Sequence, residues 1–222
     1  MMLKLLHFPL CPYSRKVRLA LAEKELDVTS EAIEPWLYSN DLKTGNPAAE
    51  VPILEDRSRI ISDSGVIVEY LEETQRGHTL IGKEPSQRAE IRRLMAWFDK
   101  KFTREVTDLI WYEKLIKRLR DKGTPDSAAV RRGLANIHEH LDYVGHLFDR
   151  HHWLAGDQMT LADITAAAHF SVLDYMGDVP WEKHPAAKLW YAKIKSRPSF
   201  RPLLADRLAS IRPVSHYSDL DF

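Results

Sequence analysis

The stretch Leu10-Cys11-Pro12-Tyr13-Ser14-Arg15-Lys16 decides how this chain is read, because a short apolar run ends there and a helical pattern begins, with the one cysteine at the junction. Upstream, Leu3, Leu5, Leu6 and Phe8 predict a buried strand. Downstream, Val17, Leu19, Ala20 and Leu21, closed by Glu23-Lys24-Glu25, predict an amphipathic helix. Pro12 suits the first helical position, where its missing N–H would have been an orphan in any case. That puts Cys11 at the N-cap, where the amides of Tyr13 and Ser14 and the positive helix end favour an anion. With Arg15, Lys16 and Arg18 nearby, the expectation is a thiol acidified from about 8.5 towards neutrality. A lone cysteine is more often an inert, packed side chain, but a strand, Cys-Pro and a helix in succession favour chemistry.

Working outward, 222 residues suffice for one large domain or two ordinary ones. Thirty-two basic and thirty-two acidic residues cancel, so net charge recommends neither nucleic acid nor an anionic membrane as partner. A single cysteine forms no internal disulfide and fits a reducing compartment. The opening MMLKLLHFPL is too short, and too interrupted by Lys4 and Pro9, for a signal peptide's apolar region. No stretch approaches a membrane span. The expectation is a soluble, cytoplasmic protein.

Asp27-Val28-Thr29 with Ala32-Ile33 predict a second strand, followed by a loop, Glu34-Pro35-Trp36-Leu37-Tyr38, with two exposed-looking aromatics. Val51-Pro52-Ile53-Leu54 and Arg59-Ile60-Ile61 flank Glu55 to Ser58 as a hairpin, and Asp63-Ser64 caps a helix carrying Val66, Ile67, Val68, Tyr70 and Leu71. Residues 1–74 thus form a compact α/β unit. Residues 75–85, with Gly77, Gly82 and Pro85, read as a linker. Residues 86–210 carry long helical patterns only: Ile91 to Ile116, then Val130 to Phe148, broken by Gly123-Thr124-Pro125. Thr160-Leu161-Ala162-Asp163 is a capping box opening another helix, with further helices from about Pro185 and Pro198. Residues 211–222 form a tail.

Cys11-Pro12, Asn46-Pro47, Val51-Pro52, Asp63-Ser64 and Gly156-Asp157 before Thr160-Leu161-Ala162-Asp163, in this order and near their usual spacing, resemble the glutathione S-transferase superfamily over nearly the whole chain. The resemblance implies an α/β plus all-α fold, a thioredoxin-like N-terminal domain followed by an all-helical C-terminal domain, with a cis peptide at Pro52 and a homodimer. It implies glutathione as substrate and no other cofactor. Cys11 would be catalytic and Tyr13, Val51, Pro52, Asp63 and Ser64 would hold the tripeptide: Val51 by its backbone, Ser64 at the γ-glutamyl carboxylate, Asp63 at the γ-glutamyl ammonium. A cysteine at this place resembles the omega-like and beta-like members, and CPYS resembles glutaredoxin sites. With no second cysteine, exchange would be monothiol. Tyr112 is a candidate wall of a hydrophobic pocket.

One departure opposes an enzyme. Glu50 stands where the family commonly has Lys or Gln, an acid near glutathione's carboxylates that costs on the order of 1 kcal/mol or more. The tail, mixing Pro213, Tyr217, Leu220 and Phe222 with Asp219 and Asp221, and the Pro35-Trp36-Leu37 segment resemble an alphaproteobacterial branch whose members bind the division protein FtsZ. Two functions therefore compete. One is glutathione-dependent transfer or exchange through Cys11. The other is a non-catalytic module that binds FtsZ filaments through Trp36, Asp219 and Phe222. The tail's apolar residues imply docking either on their own domain or on a partner: truncating residues 213–222 leaves the melting temperature nearly unchanged if the tail is a binding element and destabilises the fold if it packs. The histidines, His138, His140 and His151-His152, lack zinc spacing and are expected at the surface or at helix caps; no metal site is expected.

Overall fold

The computed structural model describes residues 3–38, 42–43, 46–75 and 77–220. The chain divides into two compact units, Met1–Leu80 and Ile81–Phe222.

In the first unit, β1 (Leu3–His7) leads into α1 (Pro12–Glu23), which crosses over to β2 (Val28–Ala32). Then come β3 (Ile53–Asp56), β4 (Arg59–Ser62) and α2 (Ser64–Thr74). The sheet order is β2-β1-β3-β4. β1 runs parallel to β2 and antiparallel to β3, with Leu5 opposite both Ser30 and Leu54. The parallel pair requires a crossover, which α1 supplies. The hairpin turn is tighter than expected: Glu55 and Asp56 stay in β3, and Arg57 turns the chain at φ 58°. Leu3, Leu5, Leu54, Val17, Leu21, Ile67 and Leu71 bury the core. At its edge the Lys24 ammonium meets Glu72 at 2.9 Å, with both side chains nearly excluded from water. Glu72 also accepts from the Thr79 hydroxyl at 2.7 Å and the Leu80 amide at 3.2 Å, which ties the end of this unit to α2.

The second unit is helical. α3 (Pro85–Ala96) continues without a break into a π-wound segment, Trp97–Ile116, and a last turn, Lys117–Leu119. After the Gly123-Thr124-Pro125 break follow α4 (Ser127–Arg150), α5 (Leu161–Tyr175) and α6 (Pro185–Lys195). α5 is buried along its entire length, its polar residues Asp163, Thr165, His169, Ser171 and Asp174 included. Phe102 and Phe170 meet at 5.0 Å in the core beside Phe98. The capping box forms: Asp163, fully buried, accepts from the Thr160 amide at 3.0 Å, and also from the Leu154 amide at 2.9 Å and the Trp190 indole at 3.0 Å.

One expectation fails in this unit, and an alternative left open for the tail is decided. His140 is not a surface histidine but fully buried, since Trp97 donates its indole N–H to His140 Nδ1 at 3.1 Å and Phe102 packs edge-on at 4.9 Å. His138 is likewise engaged, with His184. The tail docks on its own unit. The Val214 amide donates to the Tyr175 carbonyl at 3.1 Å, Val214 covers the bare Cα of Gly177, and Tyr217 is buried against the Tyr175 ring at 5.1 Å. The physical reason is that Tyr217 brings both apolar area and a hydroxyl that finds a partner inside. Among the described residues no helix is long and apolar enough to cross a membrane, and no group of His, Cys, Asp and Glu is placed to hold a metal ion.

Candidate functional site

Cys11 takes the N-cap of α1 with extended backbone (φ −92°, ψ 122°), and Pro12 opens the helix. The turn that delivers it is closed by the Cys11 amide donating to the Phe8 carbonyl at 3.0 Å, while the Phe8 amide donates to Ser14 Oγ at 3.2 Å. Arg15 braces the same loop by donating to the Pro9 carbonyl at 2.8 Å.

The thiol is not acidified. Burial pushes Cys11 above its ordinary value and outweighs the Ser14 amide, the Ser14 hydroxyl and the Tyr13 amide, which pull it down; the charge of Glu50 adds to the rise. The helix-end donors are therefore present as expected, but only 6% of the residue is exposed, and a thiolate there loses more hydration than those donors return. Chain pattern alone conveys neighbours; it does not convey how deep the cap sits.

Val51-Pro52 is cis. The Cys11 thiol faces the Val51 carbonyl at 3.9 Å, so these two site residues are brought together, although that carbonyl is turned to the protein's own thiol. The loop before them is organised by Asn46, whose amide donates to the Glu50 carbonyl at 2.9 Å and whose Oδ1 accepts from the Ala48 amide at 3.1 Å. Glu50 itself is exposed.

Asp63 adopts a left-handed conformation (φ 73°) and caps α2, accepting from the Gly65 amide at 2.7 Å and the Val66 amide at 3.1 Å. Ser64 follows at the first helical position, mostly buried. Asp63 thereby occupies two first-turn donors with its own negative charge, and an incoming carboxylate is left with the Ser64 hydroxyl and amide. Tyr13 is half-buried in the first turn of α1. Tyr112 is half-buried on the π-wound segment of the second unit.

The partner-binding candidates divide. Trp36 is half-buried and not freely exposed, its ring edge-on to buried Phe8 at 5.2 Å; its neighbours Leu37 and Tyr38 stand out, 69% and 49% exposed. Asp219 is exposed beside Lys195, and Phe222 lies outside the described residues. Sequence reasoning missed Ser14 and Phe8 as site residues. Ser14 sat in the quoted stretch as the fourth residue of Cys-Pro-Tyr-Ser, and that position was the available signal.

Comparison with known proteins gives two family matches: "Glutathione S-transferase, N-terminal domain" over residues 5–79 and "Glutathione S-transferase, C-terminal domain" over residues 109–198. The chain is 47% identical, over 97% of its length and 96% of the relative's, to FtsZ-localized protein A of Caulobacter vibrioides. Among solved structures it is similar to a glutathione S-transferase from Rhodospirillum rubrum F11, at 53% identity and TM-score 0.97, and to FzlA from C. crescentus, at 46% and 0.96. Each comparison covers 100% of both chains.

Proposed function

Because this chain belongs to the glutathione S-transferase family, we propose that it uses that fold as a binding module of the bacterial division protein FtsZ rather than as a transferase. The observation that carries the reading is the 47% identity, across almost the whole of both chains, to a protein named for its localisation with FtsZ. The condition of Cys11 supports it. A nucleophile must ionise to act, and this thiol is buried, pushed up, and faces a backbone carbonyl. Glu50 adds a negative charge beside the place where a tripeptide's carboxylates would lie. The contact surface proposed is Trp36 with the exposed Leu37 and Tyr38, together with Asp219 and the end of the tail. A module that follows FtsZ works in the cytoplasm, and we propose a homodimer, in keeping with the exposed Ile60 and Val66 on β4 and α2.

The test is co-sedimentation of the purified protein with FtsZ filaments, alongside calorimetric titration with reduced glutathione. Filament binding without a glutathione signal supports the reading, and its absence with clear glutathione binding overturns it. The second reading is favoured by the juxtaposition of Cys11, cis Val51-Pro52 and Asp63-Ser64. In that case the Cys11 thiolate attacks a glutathionyl disulfide and expels the other thiolate. A second glutathione thiolate then attacks the resulting mixed disulfide, freeing Cys11 and releasing oxidised glutathione.

A further inference from the structure

We propose that His138, His184 and Asp142 form a proton-counting clasp across the seam between α4 and α6, one that accommodates a single added proton and is forced open by a second. His138 and Asp142 lie four residues apart on α4 and so share a face. His184 immediately precedes α6 and is its N-cap. His138 Nδ1 is 2.7 Å from His184 Nε2, and His184 Nδ1 is 2.8 Å from Asp142 Oδ1. The ionised carboxylate only accepts, so His184 Nδ1 carries hydrogen. In the neutral pair His184 Nε2 is then the acceptor and His138 Nδ1 the donor. One further proton is accommodated on the pair, because a single hydrogen still lies between the two facing nitrogens. A second proton puts N–H on both facing nitrogens at a separation that holds only one hydrogen, and two cations in contact.

The seam has little room to absorb this. Gly145, two turns on from His138 along the α4 face, has its Cα against α6: a Cβ there would stand 3.3 Å from that of Ala186. The charged groups around the clasp add to the sensitivity. Lys183 precedes His184 in the chain and faces His138, Lys188 is drawn off by Glu182 at 2.5 Å, and Asp142 is the acid that acts on His138 and meets His184. Burial first, then the charges of His184 and Lys183, hold His138 below its ordinary value against the opposing pull of Asp142. A histidine held low in the folded state contributes fully above its ordinary 6.5 and loses that contribution as pH falls below it.

The experiment is amide hydrogen exchange on the full chain at pH 7.5 and 5.5, corrected for intrinsic exchange and read over Pro185–Lys195. Opening of α6 should increase about tenfold more on acidification in the unmodified protein than in His138→Gln, which cannot take the charge, as expected for one linked proton over one pH unit. Buried His140 lies on the same helix and also resists protonation, but it is unchanged in the variant and cancels in the difference. Equal acid responses in the two proteins overturn the clasp. Nitrogen-15 resonances of the two rings in the unmodified protein give an independent reading that does not depend on the variant folding. Two steps separated by at least about one pH unit support a shared-proton pair, and independent, overlapping titrations overturn it.

Discussion

The Tyr217 hydroxyl donates to the backbone carbonyl of Leu203 at 3.1 Å, from a side chain with no exposed surface. The tail is therefore stapled to the helical unit through both halves of one residue. Tyr217→Phe should cost about 1 kcal/mol and Tyr217→Ala about 3 kcal/mol or more. Removing residues 213–222 should lower the melting temperature, contrary to a solvated tail. Urea denaturation of the three variants checks the order.

Cys11 should react sluggishly. With the thiol pushed up by burial, the thiolate fraction at pH 7 lies below that of a free cysteine, and alkylation by iodoacetamide should accelerate only at higher pH. Glu50→Gln removes one cause of the rise and should speed the reaction at fixed pH. Rapid alkylation at pH 6 would show an activated thiol and restore the enzyme reading.

The Lys24–Glu72 pair should make the first unit acid-sensitive. Burial alone would raise the Glu72 carboxyl, but hydrogen bonds from Lys24, Thr79 and the Leu80 amide win and hold it below its ordinary value of 4.5. A depressed carboxyl contributes stability above 4.5 that is lost as pH falls through its folded value. The stability gap between the unmodified protein and Glu72→Gln should therefore close on acidification. Lys24→Met strands a buried charge and should cost about 3 kcal/mol at neutral pH. A gap that widens in acid refutes this account.

Trp36→Ala separates packing from partner binding. Its edge-on contact with Phe8 predicts a loss of about 1 kcal/mol in stability. The proposed FtsZ contact predicts loss of co-sedimentation far beyond that. Leu37→Ser, at a side chain 69% exposed, should leave stability unchanged and still weaken filament binding. Unaltered co-sedimentation in both variants would move the contact elsewhere.

The local signals in this chain were sufficient for its elements, because each is written in neighbouring residues. Pro12 marks the start of α1, Asp63 and Thr160 mark N-caps, and a buried apolar run marks α5. The Cys-Pro, Val-Pro and Asp-Ser pairs likewise identified the family, since their order along the chain is a property of sequence. What the folded chain alone decided was environment. Cys11 has the helix-end donors that its position promised, yet depth in the core reverses the direction in which its proton affinity moves. His140 looked like a surface residue until Trp97, 43 positions away, supplied a donor to its ring, and His138 met His184 across two helices. Tyr217 found Leu203 and Tyr175 only when the chain had folded back on itself. Desolvation and long-range pairing depend on which distant residues exclude water from a group, and no local pattern encodes that.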